Sequence, residues 1–538
     1  VLIYKNKTLK IITREEAAAL IKDNSTVALS GFGLACVNEE TLIGMEERFL
    51  KEGKPKNLTV MHASAVGNRR DKGMSHLGHV GLIKRWIGGI AIASPKLADL
   101  INENKCEAYN LPQGVITQLY REIAAKRPGV ITKVGLGTFV DPRIEGARMS
   151  KRSVEDLVKL ITIDDEEWLH YPTFPLDVGL IRGTVVDENG NLSLKKEGLH
   201  MEVLPIAQAV RNSGGIVIAQ AETVVSAGTI HPKEVHVPGI LVDYVVISSP
   251  ENHYQTENTQ YNPAFSGEAR VPMQSVPPLP LDERKVIARR SAMELIPGAI
   301  LNLGVGIPAS VGTIAAEEEV GDKLTLTTEA GSIGGIPADI KDFGFAYNSE
   351  MIVDHHSQFD YYDGGGLDLS VLGLAQTDQF GNVNVSKFGN RVAGCGGFIN
   401  ISQSAKTLIF AGTFTAKGLE VKVENGKLNI INEGQHKKFI KNVQQITFSG
   451  PYASKQKQRV LYITERAVFE LHNGQLLLTE IAPGVDLDKD ILKQMEFRPL
   501  ISDTLITMSS KLFEEHWGEL KSIINQREHG RKENESNN

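Results

Sequence analysis

The feature that most restricts how this 538-residue chain can fold is that it starts again partway along. Gly31-Phe32-Gly33 matches Gly304-Val305-Gly306 at an offset of 273, each preceded by a helical stretch and an apolar strand. The run L-T-V-M-H-A from Leu58 matches L-T-L-T-T-E from Leu324 at 266, and the run from Leu176 matches that from Leu367 at 191. In the last pair Asp177/Asp368, Asp187/Asp378 and Gly190-Asn191/Gly381-Asn382 fall in register. Self-similarity of this kind means two copies of one unit. The falling offset places extra residues in the first copy, as an insertion at about 110–170.

Local signals say what the unit is. Thr13 with Glu16 forms a capping box, and helical spacing continues to about Lys22. A short apolar strand, T-V-A-L-S, follows, then the Gly31–Gly33 turn, a helix from Glu39 and a strand from Asn57. Asn189-Gly190 turns between two strands, and G-G-I-V-I-A-Q and L-V-D-Y-V-V-I read as buried strands. Strands alternating with helices predict an α/β fold with an open, mostly parallel sheet in each copy. The copies span 1–261 and 282–525. Between them, 262–281 is a Pro-rich linker holding Pro263, Pro272, Pro277, Pro278 and Pro280. Residues 526–538 lack an apolar face and read as a disordered tail.

A net charge of −7, with no long Lys/Arg run, argues against nucleic acid and for small-molecule partners. Three scattered cysteines, Cys36, Cys106 and Cys395, fit a reducing compartment better than a disulfide framework. No apolar run approaches the ~18 residues of a membrane span. Val1 to Lys7 is apolar for only four residues, too few for a secretory signal, so the expected location is cytoplasmic.

One carboxylate breaks the repeat. Glu329 ends the strand K-L-T-L-T-T and stands opposite Ala63 of the first copy, whereas the turn glycines and the Asp and Gly-Asn positions occur twice. Small residues follow at once, which puts an acid at a strand tip among backbone amides, a place for a nucleophile. A second cluster, Gly394-Cys395-Gly396-Gly397-Phe398, supplies either amides for an oxyanion or a flexible loop. Gly304 to Ala309 also satisfies the dinucleotide pattern, with Glu329 as the ribose-binding acid, so a nicotinamide-dependent oxidoreductase is an alternative. His355-His356 with Asp354 is read as a strand or loop end rather than a metal site, because neighbours on a strand point to opposite faces.

With Pro112-Gln113-Gly114, Gly304-Val305-Gly306-Ile307-Pro308, Glu329-Ala330-Gly331, Gly364-Gly365-Gly366-Leu367-Asp368 and G-C-G-G-F at Gly394 to Phe398 in place, the whole chain resembles the family I coenzyme A transferases in their fused two-domain form. It is similar to bacterial acetate/propionate CoA-transferases and, more distantly, to succinyl-CoA:3-ketoacid enzymes. Many relatives read S-E-N-G where this chain has Thr328-Glu329-Ala330-Gly331, and Gly-Gly-Phe where it has Ser30-Gly31-Phe32.

The resemblance implies two domains of that type facing each other across a cleft, with the catalytic Glu329 in the second. It implies transfer of CoA between a short-chain acyl-CoA and a carboxylate, through an acyl-glutamyl anhydride and a glutamyl-CoA thioester on Glu329. Gln113, Gly396 and Gly397 would hold the oxyanion and line the acyl pocket, and Gly304, Val305, Gly306, Ile307, Gly331 and Gly394 would contact CoA. No metal or redox cofactor is implied, and the expected assembly is a homo-oligomer, a tetramer.

Overall fold

In the computed structural model, which describes residues 9–272, 278–338 and 340–536, the predicted capping box forms in both directions. Thr13 N–H donates to Glu16 Oε2 at 2.9 Å and Glu16 N–H to Thr13 Oγ1 at 3.2 Å, so helix α1 (Arg14–Leu20) begins where the residues said it would. The chain forms two compact units. The first contains Val1–Val271, Thr328–Tyr361 and Ser386–Asn400; the second contains Pro272–Thr327, Tyr362–Val385 and Ile401–Asn538.

In the first unit the strands are β1 (Lys10–Ile11), β2 (Thr26–Leu29), β3 (Leu58–Ala65), β4 (Ile83–Ile90) and β5 (Glu107–Asn110). They are followed by β6 (Gly129–Thr132), β7 (Lys159–Ile163), β8 (Glu166–Pro172), β9 (Val178–Arg182), β10 (Val185–Asp187) and β11 (Leu192–Ser193). β12 (Ile216–Ala221), β13 (Thr223–Val225) and β14 (Tyr244–Ile247) complete that series. Eight of them make one parallel sheet in the order β1-β14-β12-β9-β2-β3-β4-β5. Helices α2 (Glu39–Glu52), α3 (Pro95–Asn102), α4 (Gln113–Ala124) and α5 (Val203–Asn212) lie among these strands in sequence. Near-continuous burial of Val27 to Leu29 and of Val217 to Ala221 is what a parallel sheet covered on both faces requires. The stretch read as an insertion contains the whole of α4 and a separate antiparallel sheet, β6-β8-β7.

The second unit opens with α6 (Glu283–Ala292), whose N-cap Asp282 accepts from Arg284 N–H and Lys285 N–H, then β15 (Ile300–Leu303), α7 (Ser310–Glu317) and β16 (Thr325–Thr327). Its parallel strands run in the order β16, β15, 369–373, 407–411, 459–463. That order is the order β3-β2-β9-β12-β14 of the first unit. Strands 467–472 and 475–481 then turn antiparallel, and 500–507 closes the edge. Val286, Leu301, Val371, Ile409, Leu461 and Trp517 belong to its buried core.

The repeated residues perform the same local task in each copy. Asp177 Oδ2 accepts Thr26 N–H at 2.8 Å, and Asp368 Oδ2 accepts Ile300 N–H at 2.9 Å. Asp187 Oδ1 holds the amides of Asn189 (3.0 Å) and Asn191 (2.9 Å); Asp378 Oδ1 holds those of Phe380 (3.0 Å) and Asn382 (3.1 Å). The first pair of carboxylates therefore ties down the start of a distant strand, and the second pair builds turns.

Sequence repeat and compact units divide the chain differently. Glu329 and the glycine cluster come from the second copy, yet both segments belong to the first unit. Of the Pro-rich linker, 273–277 with Pro277 lies outside the described residues, as do 1–8 and 537–538. The stretch from 526, expected to be disordered, continues helically to Ser536 in the segment Leu520–Ser536. Leu520 and Ile524, both fully buried, anchor the start of this helix, and Glu, Arg, Lys and Gln are good helix formers that extend it.

Asp187→Ala and Asp378→Ala each take the acceptor from two backbone donors that are at most partly shielded from water in three of the four cases. Each is expected to lower stability by about 1 kcal/mol, seen as a lower urea midpoint.

Candidate active site

Strand β16 ends at Thr327, whose Oγ1 donates to Leu301 O at 2.8 Å. Glu329 follows in a tight turn closed by Thr328 N–H to Ser332 O (2.9 Å) and Gly331 N–H to Thr328 O (3.1 Å). Ser332–Ile333 then pairs antiparallel with Met351–Ile352, and Val353 N–H donates to Gly331 O at 2.9 Å. A Cβ on Gly331 would stand 2.4 Å from Val353 O, so this glycine is required by backbone packing. In the first copy β3 runs on to Ala65, and Ala63, opposite Glu329, is fully buried inside the strand.

The glycine cluster is fastened to the first unit strand by strand. Ala91 N–H donates to Ala393 O (3.1 Å), Cys395 N–H to Asn110 Oδ1 (2.9 Å), Gly396 N–H to Gly89 O (3.0 Å) and Gln113 N–H to Gly396 O (2.9 Å). Gly394 lies against the same edge, where an added Cβ would stand 2.4 Å from Gly89 O. One expectation changes here: the Gly396 N–H is committed to Gly89 O and is no oxyanion donor, because an amide has a single hydrogen. The Gly397 N–H makes no hydrogen bond among the described residues. It precedes helix α9 (Phe398–Ser404), α8 (His355–Asp363) being the helix before it.

Glu329 itself is half-buried against this loop. A Cβ on Gly397 would lie 2.8 Å from Glu329 Oε2, so the carboxylate rests on bare backbone. Burial pushes the Glu329 carboxyl above the ordinary carboxylate range, against the pull of His355 and of a hydrogen bond from Gln113. A carboxylate made reluctant to ionise is also a more basic, better nucleophile once it does.

Behind Gln113 runs a chain of polar groups that the sequence did not reveal. Gln113 Nε2 lies 2.8 Å from His355 Nε2, and His355 Nδ1 meets Glu202 Oε1. Gln113, His355 and Glu202 are each fully buried. A carboxylate only accepts and an amide nitrogen only donates, so His355 carries its proton on Nδ1 and offers a lone pair at Nε2 to Gln113. His355 N–H donates to Met201 O at 3.2 Å, which seats the start of α8 on the turn 200–202 that leads into α5. The sequence had weighed His355 only beside His356; it opens a helix, not a strand. Nothing in the local pattern around Glu202 separates it from a surface glutamate.

Gly304, Val305, Gly306 and Ile307 lie in the second unit, in the turn from β15 to α7. Gly306 has φ +83° with nothing within 4 Å of a built Cβ, and Val305 is 46% exposed, so the turn presents open backbone.

Comparison with known proteins bears on all of this. A family model described as Coenzyme A transferase matches residues 11–248. Caffeate CoA-transferase of Acetobacterium woodii is 52% identical over 521 residues, covering 96% of this chain and 99% of that one. Acetate CoA-transferase YdiF of Escherichia coli O157:H7 is 43% identical, covering 94% and 96%. The crystal structure of that acyl-CoA transferase (YdiF) as apoenzyme superposes with a TM-score of 0.90 at 42% identity, over 95% of this chain and 98% of the other. A thioester complex of the same enzyme with CoA gives 0.88 at 41% identity, over 95% and 97%. The dinucleotide reading of Gly304 to Ala309 finds no support among these relatives. Among the described residues no helix is long and apolar enough to cross a membrane.

Gly397→Ala forces the Glu329 carboxylate aside and is expected to lower kcat by about 100-fold, the scale of a 1 Å misplacement, in a protein that still folds. Removing the Gln113 bond takes away a stabiliser of ionised Glu329, so its pKa rises further. The acid limb of the kcat/KM profile, already above that of an ordinary glutamate, should move to higher pH in Gln113→Ala.

Proposed function

The chain belongs to the coenzyme A transferase family, and on that premise we propose that it passes CoA between acyl groups by covalent catalysis on Glu329. It is a CoA-transferase whose substrates are an acyl-CoA and a carboxylate. In the proposed sequence a Glu329 oxygen attacks the thioester carbonyl, the C–S bond breaks, and CoA leaves as thiolate, giving an acyl-glutamyl anhydride. The thiolate then attacks the Glu329 carbonyl carbon and expels the first carboxylate, leaving a glutamyl-CoA thioester. The incoming carboxylate reverses both steps, so kinetics are ping-pong. The first step replaces a C–S bond by a C–O bond and the second replaces a C–O bond by a C–S bond, so the bonds balance over the pair and no oxidation state changes.

The observation that carries this reading is the contact of Glu329 with the bare backbone of Gly397. It leaves an unused amide beside the carbon that becomes tetrahedral. Gln113 would be the second donor, oriented by His355 and Glu202. The capture of a relative of the same fold as a thioester complex with CoA supports the second intermediate. The open turn Gly304 to Ile307 is the proposed approach for CoA, whereas Gly331 and Gly394 are already accounted for by backbone packing.

Acetate CoA-transferase activity in a 43% identical relative supports a short-chain acyl group, while the 52% identical caffeate CoA-transferase favours caffeate as a second reading. A donor and acceptor panel from acetate to butyrate, with caffeate included, separates them by kcat/KM. The homo-oligomer, a tetramer, and the cytoplasmic location belong to the same proposal, and light scattering checks the first.

Incubation with acyl-CoA alone, followed by hydroxylamine or borohydride trapping, should mark Glu329 in peptide mass spectrometry. Glu329→Ala should lose the mark and about 10^4-fold or more of kcat. An unmarked Glu329 with turnover intact would overturn the mechanism.

A further inference from the structure

Beside the polar chain of the active site, and not part of it, three side chains from distant positions point at one spot. His200 Nδ1 lies 3.3 Å from Asp354 Oδ1, and His236 Nε2 lies 3.1 Å from the same oxygen. The three atoms lie within 4.8 Å of one another. At these separations ion-paired hydrogen bonds would be expected, yet His236 Nε2 and Asp354 Oδ1 are both buried with no hydrogen-bond partner. The ring nitrogens are near the oxygen without being aimed at it. A buried donor and acceptor left unsatisfied side by side are costly, so their retention asks for a reason. The two imidazole rings lie 4.5 Å apart, tilted by 48°.

We propose that His200, His236 and Asp354 bind a divalent transition cation, zinc(II) in the first instance. Two ligands 2.0–2.1 Å from a tetrahedral zinc stand about 3.3–3.4 Å apart, close to the spacing found before any ion is present. Two imidazoles and one carboxylate form a donor set of zinc type, and three protein ligands leave a fourth position for water. No local pattern marks this set, because the ligands lie far apart in the chain and only Asp354 stands in a His-containing motif.

The position suggests what the ion is for. His200 and Glu202 belong to one segment, Asp354 and His355 to the other; His200 meets Asp354, and Glu202 meets His355. A cation at the first pair fastens the two segments where the second pair orients Gln113. The ion is a clamp on the start of α8 and touches no reacting atom.

The test uses the full-length protein stripped with chelator, reloaded with zinc sulfate and desalted. About one zinc per chain should be retained by elemental analysis, and zinc should raise the melting temperature in a way that chelator reverses. Cobalt(II) in its place should give the intense visible bands of a tetrahedral site. His236→Ala, Asp354→Asn and His200→Gln should each weaken zinc binding by more than the ~10- to 100-fold expected for loss of an outer-shell partner. Retention of no zinc by the wild type, or an unchanged melting temperature and no tetrahedral cobalt spectrum, would overturn the proposal whether or not the variants fold. So would folded variants that bind zinc as tightly as the wild type.

Discussion

The hydrogen bonds that fasten the Gly394–Gly397 loop to the strand edge at Gly89 and the start of α4 are what the candidate site depends on. Gly396 uses its N–H on Gly89 O and its C=O on Gln113 N–H, so one residue links β4 to the first residue of α4. With that link made, Gln113 and Gly397 are both held beside Glu329. Without it, the acid would be a carboxylate at the end of a short strand, with no donors in place for charge developing on a substrate.

That link also explains why compactness and repetition disagree about the chain. The second copy gives up two of its segments, 328–361 and 386–400, to the first unit, because their backbone groups find partners there. What the second copy keeps is the parallel sheet and the turn at Gly304. The repeat therefore describes how the chain is built, and the exchange of segments describes how a site made once is drawn from both copies.

Burial of polar groups sets the chemistry. Glu202, His355 and Gln113 are removed from water, and each is bonded to the next, so their arrangement is rigid where an exposed set would be mobile. Rigid donors do not have to reorient as an oxyanion forms. The same segments bring His200, His236 and Asp354 together, and a cation there would add stiffness next to the machinery without entering it.

The residues alone determined the repeat, the parallel α/β sheets and the nucleophile candidate. These rest on local periodicity, turn chemistry and register: the paired aspartates show the register in identical hydrogen bonds, and Glu329 stands out because its counterpart is Ala63. Tertiary structure decided the rest. Gln113 and His355 are 242 positions apart and His355 and Glu202 are 153 apart, and no local pattern encodes contacts of such range. That the Gly396 amide is occupied while that of Gly397 is not follows from which backbone oxygen each faces. A hydrogen-bond partner is a property of folded geometry, and the glycine run reads the same in sequence either way.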